Sequence, residues 1–275
     1  MNKLRLILGL LVLSITAFLI FAPGYVEAER NAVRPHDPYP VSDEAAALHN
    51  DMIIGDWHAD SLLWKRDLTQ RGTRGHVDIP RLIEGNVTIQ VFTAVTKSPA
   101  GQNLHSNSSD APDNITRLAM GQLWPPRTWD SLLERALYQS EKLHGFEADS
   151  ENLRIIRTGA DLEQLLSDRA AGQTLVGGIL GIEGAHPLRG DIANLDKIEA
   201  AGHRMIALQH FFDNALGGSL HGAGDHGLTD FGRAVVAEVA DVVAVSVFLE
   251  GVGVGGTVVV QVSDTVGVEV EPAAA

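Results

Sequence analysis

Apolar and polar positions along the chain alternate between two periods. Short apolar runs rich in β-branched residues, such as "VTIQVFTAV", "TLVGGILGIEGAH" and "RMIALQHFFDN", carry the signature of strands. Between them, "TWDSLLERALYQSEKLHGF" places Leu132, Leu133, Ala136, Leu137 and Leu143 at helical spacing. Shorter helices are predicted at "HVDIPRLIEG", at "ADLEQLLSDRAAG", closed by Gly172, and at "NLDKIEAAG". Ser42, followed by Asp43 and Glu44, is a natural helix start before "AAALHN". The stretch Lys97 to Asn114, "KSPAGQNLHSNSSDAPDN", reads as a long polar loop.

Strand and helix in turn favour an α/β fold with a parallel sheet and right-handed crossovers. At 275 residues the leading expectation is a (β/α)8, TIM-barrel-like architecture, with an open doubly wound sheet second. Before the fold begins, residues 1–28 form a basic start (Lys3, Arg5) and an uncharged apolar run from Leu6 to Ala22. This is a secretory leader with a small-residue cleavage site at "VEA", or an uncleaved membrane anchor. Either places the remainder outside the cytoplasm. Residues 29–45 follow as a Pro-rich linker.

Composition narrows the chemistry. A net charge of −14 argues against a nucleic-acid partner, because phosphate binding needs a basic surface. With no cysteine, disulfides, thiolate ligands and a Cys nucleophile are excluded, while 11 histidines keep a His/carboxylate metal site open. Asn86-Val-Thr, Asn107-Ser-Ser and Asn114-Ile-Thr match a glycosylation triplet that matters only in a eukaryotic secretory pathway.

The informative residues stand where strands end. "IIGDWHADSLLW" begins like a buried strand and places His58 and Asp60 two positions apart, hence on one face. "GILGIEGAH" ends at Glu183 and His186, and "RMIALQHFFDN" at His210, with Asp213 and Asn214 beyond. In a parallel barrel all strand C-termini open on one side, so these residues could converge. Imidazole and carboxylate donors without thiolate suit Zn²⁺, and a carboxylate such as Glu183 can bridge two ions. Singly, each has a plain alternative: a hydrogen-bonded His-x-Asp pair, a turn carboxylate between glycines, a satisfied core histidine. His186, His221 and His226 are expected to be structural or loop residues.

Taken jointly, "DWHADSLLW", "HVDIPRLIEGNVTIQVFTAV", "GILGIEGAHPL", "HRMIALQHFFDN" and "GLTDFGRAVV" resemble the membrane (renal) dipeptidase family of zinc peptidases, bacterial type, over residues 50–238. The resemblance implies a (β/α)8 barrel with two zinc ions that hydrolyses dipeptides by a metal-bound hydroxide, often tolerating a D-residue on the C-terminal side. It implies His58 and Asp60 as ligands of one zinc, Glu183 as the bridging ligand, and His210 as the catalytic, substrate-binding residue that stabilises the tetrahedral intermediate. The implied partner is a dipeptide; the membrane is engaged through the N-terminal segment alone, and a homodimer is a candidate assembly.

After residues 46–238 the pattern changes. Residues 239–275 contain no Lys, Arg or His and are dominated by Val and Gly. The resemblance calls for two more zinc histidines downstream, and none follows His226, so the barrel is expected to be incomplete and the second zinc short of ligands. A frameshifted or truncated product is one reading, and a tail whose strands cover an open sheet edge or aggregate is its physical consequence. Two functional alternatives accompany the dipeptidase: a tethered domain that binds peptides without turnover, and another amidohydrolase-like metallohydrolase. The nucleotide sequence around codon 238 tests the frameshift: a +1 or −1 reading should restore a histidine-bearing continuation, and an unbroken frame without one would make the tail a genuine divergent end.

Overall fold

The computed structural model describes residues 3–242, 244–246 and 259–263. Helix α1 (Lys3–Arg30) precedes the linker, and α2 (Asp43–Asp51) starts where the Ser42 hydroxyl accepts the Ala45 amide at 3.2 Å. Strand β1 (Ile54–Ala59) leads through a 3-10 turn at Ser61–Leu63 to α3 (Ile79–Glu84), capped by Asp78. Strand β2 (Val87–Ala94) is followed by the long loop and α4 (Asn114–Gly121). Then come α5 (Leu132–Asp149), β3 (Leu153–Ile155), α6 (Gly159–Ala170), β4 (Val176–Ile182), α7 (Ala193–Ala200) and β5 (His203–Ala207). Helix α8 (Asp230–Val242), β6 (Ala244–Ser246) and β7 (Val259–Ser263) complete the described chain.

All the β/α elements expected from sequence are present, and others appear, among them α4, β3 and α8. Helix α4 starts at the last residue of the turn-rich "DAPDN"; its one local signal was Asp113, whose carboxylate accepts the amides of Ile115 and Thr116. Strand β3 has three residues, too few to display a period.

The sheet runs β1-β2-β4-β5-β7-β6, with β3 beside the start of β4. Strands β1 to β5 pair in parallel, while β7 lies antiparallel on β5 (Ile206 opposite Val260) and β6 antiparallel on β7. The architecture is therefore α/β and TIM-barrel-like in its order of elements. Among the described residues the sheet is open, with β1 at one edge and β6 at the other. This corrects the expectation of a buried first strand: β1 pairs with β2 alone, and Trp57 is 54% exposed. Part of the Val-rich tail covers the free edge of β5, which satisfies main-chain groups there. Residues 243, 247–258 and 264–275, including the terminal "EPAAA", lie outside the described residues.

Two apolar clusters pack helices against the sheet, and α5 contributes to both. Leu133 and Ala136 of α5, Ile198 of α7 and Val235 of α8 pack with Ile182 and Ile206 in one. Leu62, Leu82, Phe92, Leu143, Val176 and Leu180 form a second cluster. Strand β4 approaches its neighbours closely because it is rich in glycine: a Cβ at Gly177 would lie 2.6 Å from Leu165 Cδ2.

The long loop is held by one buried cation. Arg135 of α5 is 1% exposed, and its guanidinium donates to the carbonyls of Thr96, Thr128 and Trp129, to Thr116 Oγ1 and to Asp113 Oδ2, at 2.5–2.7 Å. Burial pushes the Asp113 pKa up, but the Ser98 amide, the Arg135 guanidinium and the Ile115 amide together hold it below its usual value. The three Asn-x-Ser/Thr amides are also engaged in the fold: Asn86 Nδ2 donates to His49 O, Asn107 Nδ2 to Asn103 O and Asn114 Nδ2 to Pro99 O. Replacing Arg135 by Met strands a mostly buried Asp113 and should destabilise the protein by about 3–5 kcal/mol, read as a lower midpoint in urea unfolding.

Candidate metal centre

Strand register builds the site. Strand β2 lies between β1 and β4, with Gly55 opposite Ile89 on one side and Thr93 opposite Gly181 on the other. The three strands thus end level, and the Glu183 amide continues the ladder by donating to Ala94 O at 3.3 Å. Gly184 adopts φ +84°, a left-handed turn with no room for a Cβ beside the His186 ring. That turn ends β4 immediately behind the Glu183 carboxylate.

Residues 58, 60 and 183 meet here. His58 Nε2 lies 3.3 Å from Asp60 Oδ1 and 3.5 Å from Glu183 Oε1. One donor atom from each residue falls within 4.8 Å of the others, and among the described residues this is the one such group of three. These separations discriminate between readings. A charge-assisted hydrogen bond would close to about 2.7–2.9 Å. Ligands about 2.0–2.1 Å from a tetrahedral zinc ion are themselves roughly 3.3 Å apart. The donor set and its spacing therefore fit a small divalent cation.

Neighbours orient the donors. Thr93 Oγ1 donates to Asp60 Oδ1 at 2.5 Å, fixing the carboxylate from the adjacent strand. His210 Nε2 lies 2.9 Å from Glu183 Oε1, a true hydrogen-bond length. The adjacent Asp60 carboxylate first, and then the charges of Glu183 and Asp56, raise the His58 pKa above 6.5, while burial opposes them.

The reading of β5 as running through His210 is corrected. The strand ends at Ala207, and His210 sits in the loop beyond it. Asp213 and Asn214 organise that loop rather than joining the donors. Asp213 accepts the amides of Ser219 and Gly224 at 2.8 and 2.7 Å, and Asn214 Nδ2 donates to Leu208 O at 2.7 Å. His186 is buried and stacked on Phe212 at 4.2 Å, and burial pushes its pKa down to about 3, which leaves a neutral packing ring. His226 is exposed in a loop.

The donors face a cleft of about 660 Å³, within the range of small-molecule sites. Sequence reasoning missed its walls: Trp57, Thr93, Met205, Gln209, Phe211 and Leu220. His221, read as a loop residue, stacks on Phe211 at 5.0 Å and also lines it. A larger cavity of about 760 Å³ lies against α1 and contains none of these donors.

A mostly parallel α/β sheet with a His/carboxylate cluster beyond its strand ends defines a candidate metalloprotein of the barrel type. The profile of the family described as "Membrane dipeptidase (Peptidase family M19)" matches residues 42–246, and the chain belongs to that family. Solved structures are similar in fold. A dipeptidase AC, described as a metallo peptidase, shares 22% identity over 69% of this chain and 55% of its own, with a TM-score of 0.53. A metallo peptidase from Rhodobacter sphaeroides, liganded with a phosphinate mimic of the dipeptide L-Ala-D-Ala, shares 21% over 69% and 56%, TM-score 0.50. The probable dipeptidase PvdM from Pseudomonas aeruginosa shares 16% over 72% and 46%, TM-score 0.52. The chain spans about half the length of these relatives.

Cation binding needs the unprotonated His58 ring, so protons compete with the ion. Because the ring's pKa is raised, affinity for Zn²⁺ should fall as pH drops through and below that value, by about tenfold per unit for one displaced proton. Competition with a chromophoric chelator across pH measures this, and a flat profile would place His58 outside the centre.

Proposed function

We propose that this protein is an extracytoplasmic, metal-dependent dipeptidase. Its supporting observation is the triad of His58, Asp60 and Glu183 at ligand spacing, with His210 Nε2 2.9 Å from the Glu183 carboxylate, in a chain of the membrane dipeptidase family. His58 and Asp60 would hold a zinc ion from the end of β1, and Glu183 from the end of β4. Bound there, the ion supplies Lewis-acid polarisation of a carbonyl and activation of water.

The chain's own residues do the rest. Thr93 holds Asp60 in one orientation, so ligand geometry is set before substrate arrives. His210 lines the cleft beside Glu183, and once that carboxylate holds an ion its imidazole N–H would donate a hydrogen bond to the carbonyl oxygen of a scissile peptide as negative charge develops there. Trp57, Met205, Phe211 and Leu220 give the cleft apolar walls that receive the side chains of a dipeptide and exclude water from the reacting bond. L-Ala-D-Ala, whose mimic occupies the Rhodobacter sphaeroides relative, is the first substrate to try.

A second reading, peptide capture without turnover, is favoured by one observation: the donors among the described residues suffice for one ion rather than the two expected from the family. Metal content and turnover separate the two. For the dipeptidase, zinc-loaded protein hydrolyses L-Ala-D-Ala, His58→Ala loses metal and activity together, and His210→Asn keeps the metal but lowers kcat about 10²–10³-fold. Metal-loaded protein that binds the dipeptide without cleaving it would overturn the peptidase reading in favour of capture.

A further inference from the structure

Glu27 is out of place for a residue in an apolar leader. It lies in the last turns of α1, yet it is only 4% exposed. Its carboxylate is ion-paired with Arg74 Nε and lies 3.8 Å from Arg66 Nε. Both arginines belong to the segment between β1 and α3, far along the chain, which ends at the fully buried Asp78 and packs on Arg81 of α3. Without Glu27 this pocket would hold Arg66, Arg74 and Arg81 against the single carboxylate of Asp78. Burial lowers the Arg66 pKa, and the charge of Glu27 is the leading influence opposing that. One residue beyond the helix, Asn31 O accepts the Gly75 amide at 2.6 Å, and Asn31 Nδ2 donates back to Glu27 O at 2.9 Å.

Length points the same way. A helix of 28 residues extends about 42 Å, whereas the hydrocarbon core of a bilayer is about 30 Å thick. The basic Lys3 and Arg5 set the N-terminus on the cytoplasmic side. The last turns, carrying Glu27, then emerge on the far side, where charge is tolerated.

We propose that α1 is a retained anchor and that Arg66 and Arg74 form a docking pocket for its end, with Glu27 as the latch. The cleavage site suggested by "VEA" is helical and partly buried in this arrangement, and a protease needs such backbone to open before it can cut. The latch fixes the domain against its anchor, so the protein sits at the membrane surface in one orientation instead of swinging on the linker.

The full chain expressed in a bacterial host tests both parts. Intact mass of the membrane fraction should include residues 1–30, and the chain should resist an alkaline carbonate wash; a soluble product starting at Glu29 would overturn retention. In purified membranes, added protease should cut between residues 22 and 32 about tenfold faster in Glu27→Gln and in Arg74→Ala than in the parent chain. The charge-swapped pair Glu27→Arg with Arg74→Glu should restore slow cutting. Equal rates in parent and single variants would overturn the latch.

Discussion

The parallel pairing of β2 with both β1 and β4 is the constraint on which the rest depends. It brings the C-terminal ends of three strands level, so Asp60, Thr93 and Glu183 stand side by side although they are far apart in sequence. A slip of one residue in either pairing would turn the side chains beyond it to the other face. The apolar clusters that pack helices against the sheet hold that register. The glycines of β4 assist, because they let α6 and β2 approach without a side chain between them.

The site repays this rigidity with electrostatic tension. Two carboxylates face one imidazole at distances too long for strong hydrogen bonds and well matched to a shared cation. The raised pKa of His58 is the same statement in protons: negative charge is concentrated there, and a proton or a metal ion relieves it. His210 stands closer, with Nε2 2.9 Å from Glu183 Oε1. Elsewhere a buried Arg135 ties α5, through five hydrogen bonds, to Thr96 and Asp113 near the two ends of the long loop, to Thr116 of α4 and to the turn at Thr128 and Trp129.

Much of this was legible locally. Ser42, Ser131 and Thr158 cap helices because a short hydroxyl side chain can satisfy an orphan amide, a rule that needs no tertiary information. The alternation of strands and helices gave the parallel sheet, and the polar residues at strand ends gave the donors. The cleft walls were not legible: Leu220 and His221 enter from a loop whose path is set by Asp213, and nothing in their spacing announces it. Glu27 was likewise read as part of a leader, since its partners lie 39 and 47 positions downstream.

By itself, then, the sequence determined which segments become strands and helices, which residues carry donor chemistry, and the family to which their order belongs. Those properties follow from side-chain periodicity and residue type, which are local. The tertiary structure alone decided that β1 is an exposed edge, that part of the tail covers β5, that His210 leaves its strand before reaching Glu183, and that the three donors stand at metal-ligand spacing. Each of these is a distance between segments, fixed by sheet register and packing, and no local pattern encodes it.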